Sequence, residues 1–150
     1  MKITTKLFGE IEIAEEKIIT FPGGIIGFPD MQKFLLIHDA ENETNNISWL
    51  QSLDEPAFAM PVIDPLLLIR DYDPLVEDEM LGILGRLDPN NMLVVVTITV
   101  PSDITKMTAN LKAPIIINAG NNKACQLIID DAGYEVKHPI YHLLKGKKED

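Results

Sequence analysis

The chain has 150 residues, 46% of them apolar, and a formal net charge of −10. That apolar content excludes a disordered tail, and the length suits one domain with a real core. The acidic balance excludes direct nucleic-acid binding, which demands a cationic surface.

Most segments read as β. Short stretches rich in β-branched residues predict N-terminal strands at Ile3 to Phe8, Glu10 to Ala14 and Lys17 to Phe21. Gly9 marks a turn or a bulge between the first two. Phe34-Leu35-Leu36-Ile37 is a continuous apolar run, which predicts a strand buried on both faces. Ile47 to Leu53 and Ala57 to Ile63 follow, separated by the turn cluster Asp54-Glu55-Pro56.

One helix is expected next. Asp73 is a good N-cap and Pro74 suits the first helical position. Val76, Met80, Ile83, Leu84 and Leu87 form one apolar stripe. Gly82 and Gly85 each cost about 1 kcal/mol relative to alanine, so the helix is short, and Pro89 closes it at the latest. Met92 to Val100 then reads as a strand closed by Pro101. Pro114 to Asn118 and Ala124 to Asp130 form a hairpin through Ala119-Gly120-Asn121-Asn122, and Tyr134 to Lys137 adds a last strand. The expected fold is mainly β: an antiparallel, barrel-like sheet with one short amphipathic helix over one opening.

The charge is uneven. Residues 1–105 hold 18 acids and 6 bases, and residues 106–150 hold 5 acids and 7 bases. The acids Asp71, Asp73, Glu77, Asp78 and Glu79 cluster at the expected helix start, where negative charge is favoured. They read as a solvated helix face, or as a patch that docks a basic protein surface. Cys125 is the one cysteine, so no internal disulfide forms, which fits a reducing compartment. It reads as a small apolar residue of the hairpin, against a reactive thiol served by Lys123. The spacing of His138 and His142 would suit two zinc ligands on a helix, but Pro139 disfavours that helix. The glycines Gly23, Gly24 and Gly27 lack the Lys-Ser/Thr of a phosphate loop and instead serve a tight connection. On that connection Ile25, Ile26 and Phe28 read equally as core or as a partner contact. No metal and no cofactor is expected. Met1 to Thr5 carries no apolar signal core, and no apolar run approaches the ~18 residues of a membrane span, which predicts a cytoplasmic protein.

Three stretches carry a resemblance. They are Phe21-Pro22-Gly23-Gly24-Ile25-Ile26-Gly27-Phe28; Trp49-Leu50-Gln51-Ser52-Leu53 with Pro56-Ala57-Phe58 and Asp64-Pro65; and Asn110-Leu111-Lys112-Ala113-Pro114-Ile115-Ile116-Ile117-Asn118 followed by Gln126-Leu127-Ile128-Ile129. In order and spacing the chain resembles the FliW family of flagellar assembly factors. It departs from the family pattern at Ile25 to Pro29, where the family often has Ile-Pro-Gly-Phe-Glu, and at Ala124-Cys125, where a family glycine is missing. The resemblance implies one FliW-like domain over residues 1–150, a β-barrel-like fold and no enzymatic activity. It also implies two partners, flagellin and the translational regulator CsrA, with neither nucleic acid nor membrane bound directly. In that family FliW relieves CsrA repression of flagellin mRNA until unsecreted flagellin takes FliW away. Two other readings stand beside it. One is a flagellin secretion chaperone that does not touch CsrA. The other is a small-molecule-binding barrel or enzyme using the Asp71–Glu79 acids.

Overall fold

The computed structural model describes residues 2–38, 47–70, 72, 82, 84, 85, 89–129 and 133–141. The strands are β1 (Lys2–Thr5), β2 (Gly9–Glu12), β3 (Ile19–Thr20), β4 (Lys33–His38), β5 (Ile47–Ser52), β6 (Ala59–Ile63), β7 (Met92–Thr99), β8 (Thr108–Ala109), β9 (Ile115–Asn118), β10 (Lys123–Gln126) and β11 (His138–Pro139). β1 and β2 form a separate hairpin with shorter strands and a longer turn than expected. The chain turns after Thr5, whose hydroxyl accepts from the Phe8 N–H at 2.9 Å and donates to the Gly9 carbonyl at 3.0 Å. Gly9 takes φ +68, a value open to glycine at no steric cost.

The other strands form one sheet in the order β11-β8-β7-β6-β5-β4-β3-β10-β9, and β9 pairs back onto β7. That last pairing, Met92↔Asn118 through Val95↔Ile115, closes seven strands into a barrel. The ring pairs are antiparallel except for β3 and β10. Those two meet in parallel at Thr20↔Lys123, where the Thr20 N–H donates to the Asn122 carbonyl at 2.8 Å. β8 and β11 extend the sheet beyond the ring. β11 lies slightly after the stretch expected from the sequence, and its Pro139 sits on the outermost strand, where no ladder needs its missing N–H.

Alternation along the strands builds an inner and an outer core. Ile115 and Ile117 of β9 point into the barrel with Phe34, Leu50, Val62 and Ala124. Ile116, between them, points outward onto Leu84, Cys125 and Leu127. Val96 and Ile98 of β7 face outward under Tyr72, Leu111 and Ile140. Both faces of these strands are covered, so their sequence is continuously apolar rather than alternating. Phe21 and Phe34 meet edge to face inside the barrel, with centroids 5.2 Å apart.

The expected helix lies outside the described residues, apart from Gly82, Leu84 and Gly85. Gly85 has φ +74, so no α-helix passes through it to Leu87. Leu84 is buried, and its carbonyl accepts from the side-chain amides of Asn118 at 2.8 Å and Asn121 at 2.9 Å. Among the described residues helical structure is limited to short 3-10 turns and the single α-helical residue Tyr141. No described helix is long and apolar enough to cross a membrane.

The central family stretch has a structural explanation. Gln51 is fully buried, and its Nε2 lies 2.9, 3.0 and 3.1 Å from the carbonyls of Ser52, Pro56 and Phe58. It gathers the turn that joins β5 to β6. Asp54 accepts from the Gln32 and Lys33 N–H groups at 2.7 and 2.8 Å and ties the same turn to β4. Asp64 caps a 3-10 turn, accepting from Leu66 N–H at 2.9 Å, with Pro65 at the first position.

Candidate functional site

A groove lies where the β6–β7 ladder ends, and a proline stands at that end. The Ser52 N–H donates to the Phe58 carbonyl at 3.0 Å, which fixes the direction of every backbone group along β6. Phe58, Met60 and Val62 aim theirs at β5. Ala59, Pro61 and Ile63 aim theirs at β7. Pro61 has no N–H to give in that direction. The β6–β7 ladder covers Ile63↔Val96 and Val62↔Thr97 and stops at the proline.

The strands part there, and a groove of about 340 Å³ opens between them. Met60, Thr97, Ala113 and Gln126 are among its lining residues. Its rim is the loop carrying Ile25, Ile26 and Phe28. No charged side chain appears among its described lining residues.

The loop is built by its glycines. Gly24 has φ +72, and a Cβ there would collide with the backbone of Pro29. Ile25 and Phe28 then bridge, with Phe28 N–H donating to the Ile25 carbonyl at 2.9 Å and Ile25 N–H to the Phe28 carbonyl at 3.3 Å. Between them Gly27 has φ +87 while Ile26 keeps a negative φ, the signs of a type II turn. The tip is therefore a preset turn, and it separates neighbours that look alike in sequence. Ile25 is 4% exposed and belongs to the inner core, whereas Ile26 is 46% and Phe28 45% exposed. The Phe28 ring rests against Phe58, centroids 5.3 Å apart. Ile26 and Phe28 are therefore surface residues and not members of the core.

The acidic candidates Asp71, Asp73, Glu77, Asp78 and Glu79 lie outside the described residues. Tyr72, within that stretch, is a core residue: its hydroxyl donates to the Leu111 carbonyl at 2.7 Å, and burial raises its pKa well beyond the usual phenol range. Cys125 is buried, and burial pushes its thiol up to about 11. A thiol so placed is neutral near pH 7 and inert, as the apolar reading expected. Lys123 is exposed at the start of β10. His138 stands in a strand, 3.8 Å from Glu135, so no helix presents it with His142, which lies outside the described residues. No group of three or more potential metal ligands occurs among the described residues.

The geometry suits docking of apolar side chains: a neutral groove, two exposed apolar residues and a turn that holds them in place. Sequence reasoning named Ile26 and Phe28 but did not place Met60, Pro61 and Gln126 beside them on one groove. The available signal was Pro61 within a strand pattern, which marks a ladder that ends.

The family described as FliW protein matches residues 2–140. The flagellar assembly factor FliW of Lachnospira eligens is 54% identical over 99% of each chain. The protein of that name from Lachnoclostridium phytofermentans is 50% identical, covering 100% of this chain and 98% of its own. A solved structure described as the crystal structure of the flagellar assembly factor FliW superposes with a TM-score of 0.85. It is 33% identical and covers 93% of this chain and 96% of that one.

Proposed function

The chain belongs to the FliW family of flagellar assembly factors, and from that premise we propose that it is a regulatory binding protein with flagellin and CsrA as partners. Family membership supports a role in flagellar assembly, exercised through protein partners. In the proposed cycle the protein holds CsrA in the cytoplasm and relieves its repression of flagellin mRNA. Accumulating flagellin then takes the protein away. The two partners are coupled through linked binding equilibria, and no catalytic step is needed.

The observation that carries this reading is the groove and its rim. Ile26 and Phe28 are exposed beside an uncharged groove, within a stretch that the family match covers. Flagellin ends in amphipathic helices by the family reading, and their apolar faces require such a surface. The net charge of −10 complements a basic RNA-binding partner and points to CsrA engagement through the acidic first two-thirds of the chain.

Isothermal titration tests both arms. Monomeric flagellin should bind one to one, and no binding at tens of micromolar, about the limit of a weak specific complex, would refute the flagellin arm. CsrA titrated the same way separates the regulator from a chaperone that holds flagellin alone.

A further inference from the structure

Beside the burial of Ile25 and the contact of Phe28 with Phe58, a side-chain hydrogen bond ties the tip of the 21–29 loop to the barrel. Gln126 of β10 accepts from the Ile26 N–H through Oε1 at 3.0 Å and donates from Nε2 to the Ala113 carbonyl at 3.2 Å. One end of the amide anchors on the chain leading into β9. The other end reaches the loop, a hundred residues away in sequence. Both halves of the amide are used, one as donor and one as acceptor, so neither a carboxylate nor an apolar side chain of this length reproduces the pair. The bonds between Ile25 and Phe28 shape the turn, but they join the loop only to itself. The bond to Gln126 sets where the turn stands relative to the groove.

That bond is exposed to solvent. Water replaces an exposed bond at little cost in folding stability, so a purely structural purpose explains it poorly. Its consequence falls on order. A free tip must be immobilised when a partner binds, and that entropy comes out of the affinity. We propose that Gln126 is a positioning residue for partner binding, holding the loop tip so that Ile26 and Phe28 stand preset beside the groove. This rests on the reading that the tip is the flagellin contact.

The test joins amide exchange to binding. In the parent protein the Ile26 amide is protected relative to an unstructured peptide; exchange at the unstructured rate overturns the proposal without any variant. In Gln126→Met, a similar volume without either hydrogen bond, Ile26 exchange accelerates by more than the drop in the chemical denaturation midpoint, set by the lost part-buried bond to the Ala113 carbonyl, accounts for. Affinity for monomeric flagellin falls about two- to tenfold, the range of one modest hydrogen bond. In an Ile26→Ala/Phe28→Ala background the same substitution has no further effect on affinity, because the side chains that it positions are gone. A purely structural residue would give equal losses in both backgrounds, and that result overturns the proposal. The single variants Ile26→Ala and Phe28→Ala separate the two possible failures. If they weaken binding and Gln126→Met does not, the positioning role is wrong and the contact surface stands. If they leave affinity unchanged, the contact surface is wrong, and the positioning role falls with it.

Discussion

The β9–β10 hairpin and the 21–29 loop are both apolar, both carry family residues, and they touch at Gln126, yet they are put to opposite uses. In the hairpin Ile115, Ile116 and Ile117 are all buried, because the inner core covers one face of β9 and Leu84 covers the other. Asn118 and Asn121 lock its turn to the Leu84 carbonyl. In the loop Phe21 and Ile25 are buried, while the type II turn leaves Ile26 and Phe28 facing outward. An apolar run is core when its backbone is a ladder with two covered faces. The same residues on a preset turn divide between anchor and contact.

The largest test of that contrast is truncation. Ile117→Ala, at a position 2% exposed, should cost about 2–5 kcal/mol in chemical denaturation, the range for large-to-small changes in a core. Ile26→Ala should cost about 1 kcal/mol or less, as surface changes do. Equal losses would mean that the loop tip is core and would erase the distinction.

The loop's own architecture gives a smaller, graded effect. Gly24→Ala meets both an unfavourable φ and the Pro29 backbone, and should destabilise by about 1–3 kcal/mol. Gly27→Ala meets the unfavourable φ alone, with open space around its Cβ, and should cost about 1 kcal/mol. Thermal or denaturant unfolding should rank them in that order; the reverse order would mean that the tight approach of Gly24 to Pro29 is not what holds the loop.

The smallest effect concerns pH. In the hairpin the Cys125 pKa is raised by burial from 9.0 to about 11. The unfolded chain therefore releases that proton first, so the contribution is fully present below pH 9 and is lost as pH rises towards 11. Cys125→Ala should flatten the loss of stability over that window. An unchanged slope would assign the alkaline sensitivity elsewhere, with Tyr72, whose pKa is also raised by burial, the next residue to test.

Much of the fold was legible because it rests on local pattern. The hairpin, the apolar strand Met92 to Val100 and the turn chemistry of Asp64-Pro65 follow from propensity and periodicity. The barrel-like shape was expected, but the parallel contact of β3 with β10 at Thr20↔Lys123 was not legible, because a two-residue strand has no period to read. β8, also two residues long, was missed for the same reason. At the candidate site the sequence proposed Ile26 and Phe28, but it could not separate them from Ile25. That difference comes from the sign of φ at Gly27, not from hydrophobicity. Gln126 was visible only as part of a strand, because its two partners come from distant segments.

The central claim is that the loop tip, and not the hairpin, meets the partner. Amide hydrogen exchange of the protein with and without monomeric flagellin tests it directly. The account predicts new protection at Ile25 to Phe28 and at Ala59, whose N–H faces β7 beyond the end of the β6–β7 ladder, with Ile115 to Asn118 unchanged. Protection confined to other segments, with the 25–28 amides exchanging as in the free protein, would contradict it.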